Sequence, residues 1–216
     1  MIELIQTITV YALPVLFGIT LHEAAHGYVA RHFGDPTAWQ AGRISLNPIR
    51  HVDPVGTIAV PLFLLFSSKL LGGAGVLFGW AKPVPVDWGK LRNPKRDMLW
   101  VALAGPASNL LMAVLWAISV SVMFRMGVSN QDFWFRMGIA GIQINLVLMA
   151  LNMLPLPPLD GGRIVFSLLP HHLAARYARI EPYGLLILIL LMFTGVLWVF
   201  LQPLLAFGYL IVKWFL

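Results

Sequence analysis

The residues with the most chemistry in them come early, as His22-Glu23-Ala24-Ala25-His26. Two histidines four apart on a helix share one face, so both imidazoles can reach a single metal ion. The glutamate between them is suited to act as a general base toward a water rather than as a ligand. The setting sharpens this reading. The flanks, Tyr11 to Thr20 and Gly27 to Ala30, carry no charge, and the next charged residue is Arg31. An ionisable cluster inside a membrane-depth helix is costly to keep and marks function by default.

A catalytic zinc site takes three protein ligands and keeps one position open, so two histidines need a partner. Among the few acidic residues near apolar segments, Glu23 and Asp160 stand out. Asp160 follows Asn152-Met153-Leu154-Pro155-Leu156-Pro157-Pro158-Leu159 and precedes Gly161-Gly162. That density of proline and glycine breaks a helix. The N–H and C=O groups so freed could pair with an extended substrate.

The elements that must position these residues follow from composition. The chain has 216 residues, 59% of them hydrophobic and 11% charged, whereas a soluble domain carries roughly 25% charged residues. This is the profile of a multi-pass membrane protein folded as a single membrane domain over residues 1–216. The sequence predicts an all-α polytopic chain of about five to six membrane segments, at 5–30, 54–80, 98–124, 134–155, 183–201 and 204–216. Pro203 is taken to separate the last two. The net charge of +6 comes from basic residues interspersed between apolar segments, so nucleic acid is not expected as a partner. With no cysteine, disulfides and thiolate ligands are excluded. No cleavable signal peptide is expected, because Glu3 stands where a basic leader would begin.

Three basic clusters set the topology. They are Arg31, Arg43 and Arg50; Lys82, Lys90, Arg92, Lys95 and Arg96; and Arg163, Arg176 and Arg179. By the positive-inside rule all three belong on the cytoplasmic side. The first two share a side only if 54–80 crosses an even number of times. That segment contains Pro61, Gly72, Gly73, Gly75 and Gly79, and a re-entrant hairpin is expected there, against the active site. A full span with a basic outer loop is the alternative. On this topology the N-terminus is outside, and His22, His26 and Asp160 all lie toward the cytoplasm.

These motifs resemble those of the site-2 protease family of intramembrane zinc metalloproteases. The resemblance rests on His22 through His26, on Ala104-Gly105-Pro106-Ala107-Ser108-Asn109, and on Asn152 through Gly162, in that order, and covers about residues 10–170. It implies one zinc ion per chain, bound by His22, His26 and Asp160. It implies that Glu23 activates water and that Asn152 helps hold the substrate strand. It also implies a re-entrant hairpin after the first motif. Members that carry a PDZ domain place it between the second and third motif spans. Here that link is only about Arg125 to Phe133, too short for a domain, so a minimal member is expected.

The implied activity is zinc-dependent endoproteolysis within or near transmembrane segments, in regulated intramembrane proteolysis. The implied setting is a prokaryotic inner membrane, with transmembrane proteins as substrates and the lipid bilayer as partner. Two other classes stay open: a metal-ion transporter and a non-catalytic membrane scaffold. No internal repeat supports the first, and a scaffold has no need of Glu23. Asn109 and Asn145 are read as residues that join helices by hydrogen bonds. His32, His51, His171 and His172 are read as surface histidines.

Overall fold

Residues 2–59 and 82–216 are described by the computed structural model. Among them every regular element is helical and no strand occurs. Helix α1 spans Ile2–His32 and contains Pro14. A proline there removes one backbone donor, which is tolerated at membrane depth where the freed group is packed against protein; Pro14 is fully buried. A one-turn helix, α2, follows at Thr37–Gln40.

Helix α3 spans Pro94–Arg125. Pro94 occupies the first turn, where its missing N–H costs nothing. The Asp97 carboxylate reaches back to the Asn93 N–H at 2.7 Å. Helix α4, Phe133–Asn152, starts where the Asp132 side chain accepts the Trp134 N–H at 3.0 Å, a normal N-cap. The link between α3 and α4 is a short turn, with no room for an inserted domain.

The helical chain then breaks across the prolines and resumes as α5 (Asp160–Leu168), α6 (His171–Ala178), α7 (Gly184–Phe193) and α8 (Val196–Val212). Four stretches are long and apolar enough to cross a membrane: Ile8–His32, Pro94–Arg125, Phe133–Asn152 and Val196–Phe215. The chain is an integral membrane protein.

The C-terminal region departs from the sequence reading. The break falls at Thr194-Gly195, not at Pro203, which lies inside α8. Gly195 has φ +73°, a left-handed conformation that turns the chain and that glycine adopts readily. Pro203 removes only one backbone bond from a helix that continues past it. Helix α7, with 10 residues, is too short to cross alone.

Helices α1, α3 and α4 pack against one another and carry the site. Their backbones approach closely at small residues. A Cβ on Gly141 would lie 2.4 Å from the Trp116 ring, and one on Gly138 would lie 2.5 Å from Val120. Small residues at helix contacts are how membrane helices gain van der Waals packing. Ala113, Ala117, Leu146 and Ala150 are buried in this seam, with Leu201 and Leu205 of α8 behind them.

The residues that follow α1 and precede α3 meet at one end of the bundle. The Arg92 N–H donates to Phe33 O at 2.9 Å, and the Lys82 N–H donates to His51 O at 2.9 Å. Lys95 bonds the Leu169 carbonyl, and the Arg163 guanidinium lies 5.8 Å from the Trp88 ring centre. All three basic clusters therefore share this end. Residues 60–81 lie outside the described residues, and with them most of the segment expected to form the re-entrant hairpin. Of that segment, Pro54–Ala59 is a single wide helical turn.

Candidate metal centre

His22 and His26 point from the last turns of α1 into the interior, and both are buried. Asp160 is the first residue of α5. The tight break before it brings it back to them. A Cβ on Gly161 would lie 2.3 Å from Leu154 O, and one on Gly162 would lie 2.5 Å from Pro157 N. The glycines allow α5 to start directly against the broken segment. Tyr177 Oη donates to Pro155 O at 2.9 Å and ties the segment to α6.

The three side chains converge on one point. His22 Nε2 lies 3.1 Å from Asp160 Oδ2, His26 Nε2 lies 3.3 Å from the same oxygen, and the two Nε2 atoms are 3.1 Å apart. Four-coordinate zinc with ligand bonds of about 2.0–2.1 Å separates its donor atoms by roughly 3.3 Å. The spacing fits such an ion.

The hydrogen bonds on the far side of each ring agree. His26 Nδ1 meets the Val101 carbonyl at 2.7 Å, and a carbonyl can only accept. His22 Nδ1 meets Asn109 Oδ1 at 2.6 Å. Both rings thus carry their proton on Nδ1 and turn a lone pair inward from Nε2. Two lone pairs and a carboxylate oxygen face one another. Asp160 Oδ2 is buried with no conventional hydrogen-bond donor, an arrangement that a cation satisfies.

Glu23, between the histidines, is half-buried and turned to a different side. Its Oε2 accepts the Val84 N–H at 2.7 Å. Val84 is buried between Pro83 and Pro85, neither of which has an N–H to offer. The Arg43 guanidinium holds the carbonyls of Lys82 and Pro83 at 2.9 and 3.3 Å. Nearby, buried Asp35 accepts from Thr37 N, Thr37 Oγ1 and Asp87 N. Burial works against that carboxylate, but these bonds outweigh it and hold its pKa below the ordinary range.

Asn152, expected from the resemblance to hold substrate, lies at the C-terminal end of α4. Its Nδ2 donates to Leu148 O at 3.0 Å, one turn back in the same helix. Asn109 joins helices as expected, through Gly18 O and Asn145 Oδ1 at 3.0 and 3.1 Å. It also contacts His22, which sequence reasoning missed. His51 was expected at the surface but is buried, with Nε2 bonded to Ser45 O at 2.8 Å. Folding the loop onto the end of α1 gives it that partner. His32, His171 and His172 are exposed.

The chain is similar to known proteins. The profile of peptidase family M50 matches residues 126–195. "Putative zinc metalloprotease YwhC" of Bacillus subtilis is 37% identical over 203 residues, covering 91% of this chain and 85% of the relative. "Putative zinc metalloprotease Rip2" of Mycolicibacterium smegmatis is 30% identical over 182 residues, covering 84% and 66%. "Putative zinc metalloprotease MJ0611" of Methanocaldococcus jannaschii is 31% identical over 151 residues, covering 68% and 64%. No solved structure matches.

Proposed function

The chain belongs to peptidase family M50, the site-2 protease family, and from that premise we propose that it is a zinc endopeptidase cutting peptide bonds within or near transmembrane segments of other proteins. The observation that carries the reading is the convergence of His22 Nε2, His26 Nε2 and Asp160 Oδ2 within the helical bundle, beside an acidic side chain that is not part of the cluster.

His22, His26 and Asp160 would hold one zinc ion. When bound, zinc supplies Lewis acidity, polarising a carbonyl and lowering the pKa of water to about 7. Glu23 takes a proton from the attacking water and returns it to the leaving amine. The Val84 N–H engages one carboxylate oxygen and leaves the other for that proton. A substrate helix must unwind before its carbonyls can be attacked, and unpaired backbone at membrane depth is expensive. Asn152 and the broken backbone after it would receive the extended strand, with an edge from the 54–80 segment pairing on its other side.

The site lies at the end of the bundle where the basic clusters gather, which supports an active site toward the cytoplasm of a prokaryotic cell membrane. The hydrogen bond between Lys82 N and His51 O brings the two ends of the intervening segment together, as a re-entrant hairpin requires. Regulated intramembrane proteolysis, with a membrane protein already trimmed outside the bilayer as substrate, is the corresponding role.

The test uses Glu23→Gln in proteoliposomes holding a single-span membrane protein that the wild type cleaves. The variant is expected to keep its zinc and lose cleavage by about 10²-fold or more. Undiminished cleavage contradicts the proposal, and zinc transport into the vesicles that is indifferent to Glu23 would favour a transporter.

A further inference from the structure

We infer that Asn109 is a positioning residue for the metal centre, and that Val101, Gly105 and Asn109 together form its backing on one face of α3. This rests on the reading of His22, His26 and Asp160 as metal ligands. The three α3 residues are four apart, so they stack along one side of the helix. Each meets the histidines differently. Val101 presents its carbonyl to His26 Nδ1. Gly105 presents nothing, and that absence matters: a Cβ there would lie 2.4 Å from His26 Nε2 and 2.6 Å from His22 Nε2. Asn109 presents an amide oxygen to His22 Nδ1.

The orientation of that amide follows from its surroundings. Asn109 is fully buried. Its NH2 group has two acceptors, Gly18 O at 3.0 Å and Asn145 Oδ1 at 3.1 Å. Asn145 is oriented in turn, because its own NH2 donates to Gly141 O at 2.8 Å. The network is anchored on two backbone carbonyls, which can only accept. Turning either amide over would set oxygen against oxygen in a buried site. Asn109 Oδ1 must therefore face His22 and accept its Nδ1 proton. That selects the imidazole tautomer whose lone pair is on Nε2 and sets the ring plane. The two histidines differ in one testable respect. The partner of His26 is backbone and survives any substitution, whereas the partner of His22 is a side chain that can be removed.

The experiment uses the full-length protein in lipid nanodiscs, with zinc affinity measured by competition against a chromophoric chelator and with the visible spectrum of the cobalt(II)-loaded form. Asn109→Leu is expected to weaken zinc binding by about 10- to 100-fold and to shift the cobalt bands, while Asn109→Asp, which keeps an acceptor for His22, binds more tightly than Asn109→Leu. Asn145→Leu removes a helix-joining bond but leaves Asn109 Oδ1 on His22, and is expected to disturb zinc less than Asn109→Leu does. Wild-type affinity and an unchanged cobalt spectrum in Asn109→Leu would overturn the inference, as would equal losses in Asn109→Leu and Asn145→Leu. Failure of the ligand reading is separate: it would show as zinc retained in His22→Ala. If Asn109→Leu does not fold, nitrogen-15 histidine spectra of the zinc-loaded wild type decide. Both site histidines are expected to carry the Nδ1 proton, and coordination of either through Nδ1 overturns the inference.

Discussion

At the scale of single residues, the site depends as much on an absent side chain as on those present. Gly105 leaves the volume in which the donor atoms of His22 and His26 lie. Gly105→Ala keeps α3 a good helix former but puts a methyl group onto those nitrogens. The expected outcome is loss of bound zinc with little loss of helix, at an overpacking cost of about 1–3 kcal/mol. Elemental analysis beside circular dichroism checks it; full zinc in the variant would mean that the nitrogens do not converge over Gly105. What the sequence discloses at this scale is local. His22, Glu23 and His26 are legible because helical spacing alone puts the two histidines on one face. Asn109 is legible only as a residue that joins helices. Its bond to His22 spans 87 positions, and its direction depends on the amides of a third helix, which no local pattern encodes. His51 misleads for the same reason, since a histidine in a loop reads as exposed until the loop folds over it.

At the scale of elements, the extended stretch Pro83-Val84-Pro85 has a more particular role than a connector. It brings one N–H to Glu23, flanked by two residues that have none. Val84→Pro removes that donor while keeping the stretch extended. Cleavage of a transmembrane substrate is expected to fall by part of the roughly 10²–10⁴-fold that a positioned general base contributes, with zinc unchanged because Glu23 is not among the converging donors. Unaltered cleavage would show that Glu23 needs no such support. The break that carries Asp160 was legible in its prolines and glycines. How tightly it folds was not, because Gly184 of α7 closes on it from outside: a Cβ there would lie 1.7 Å from Pro157 O. The end of α7 was misplaced at Pro203 because proline reads as a helix breaker from sequence. In this membrane-spanning helix it costs one backbone bond, while Gly195 at positive φ turns the chain.

At the scale of the whole molecule, the fold assembles one site from segments far apart in the chain. Helix α1 supplies the histidines, α3 backs them, and α4 with the break after it delivers Asp160. The sequence established the all-helical membrane class from composition, and the basic clusters told which ends belong together. The bonds of Arg92 to Phe33, Lys82 to His51 and Lys95 to Leu169 gather those ends physically. Membership of peptidase family M50 accords with this assembly.

His22, His26 and Asp160 are proposed to form one three-ligand zinc site across two distant helices. This is tested most directly by zinc per protein in purified wild type and in Asp160→Ala, prepared without chelator, by elemental analysis. About one zinc per chain is expected in the wild type and a clear loss in the variant, with both proteins folded. Zinc retained in full by Asp160→Ala would contradict it.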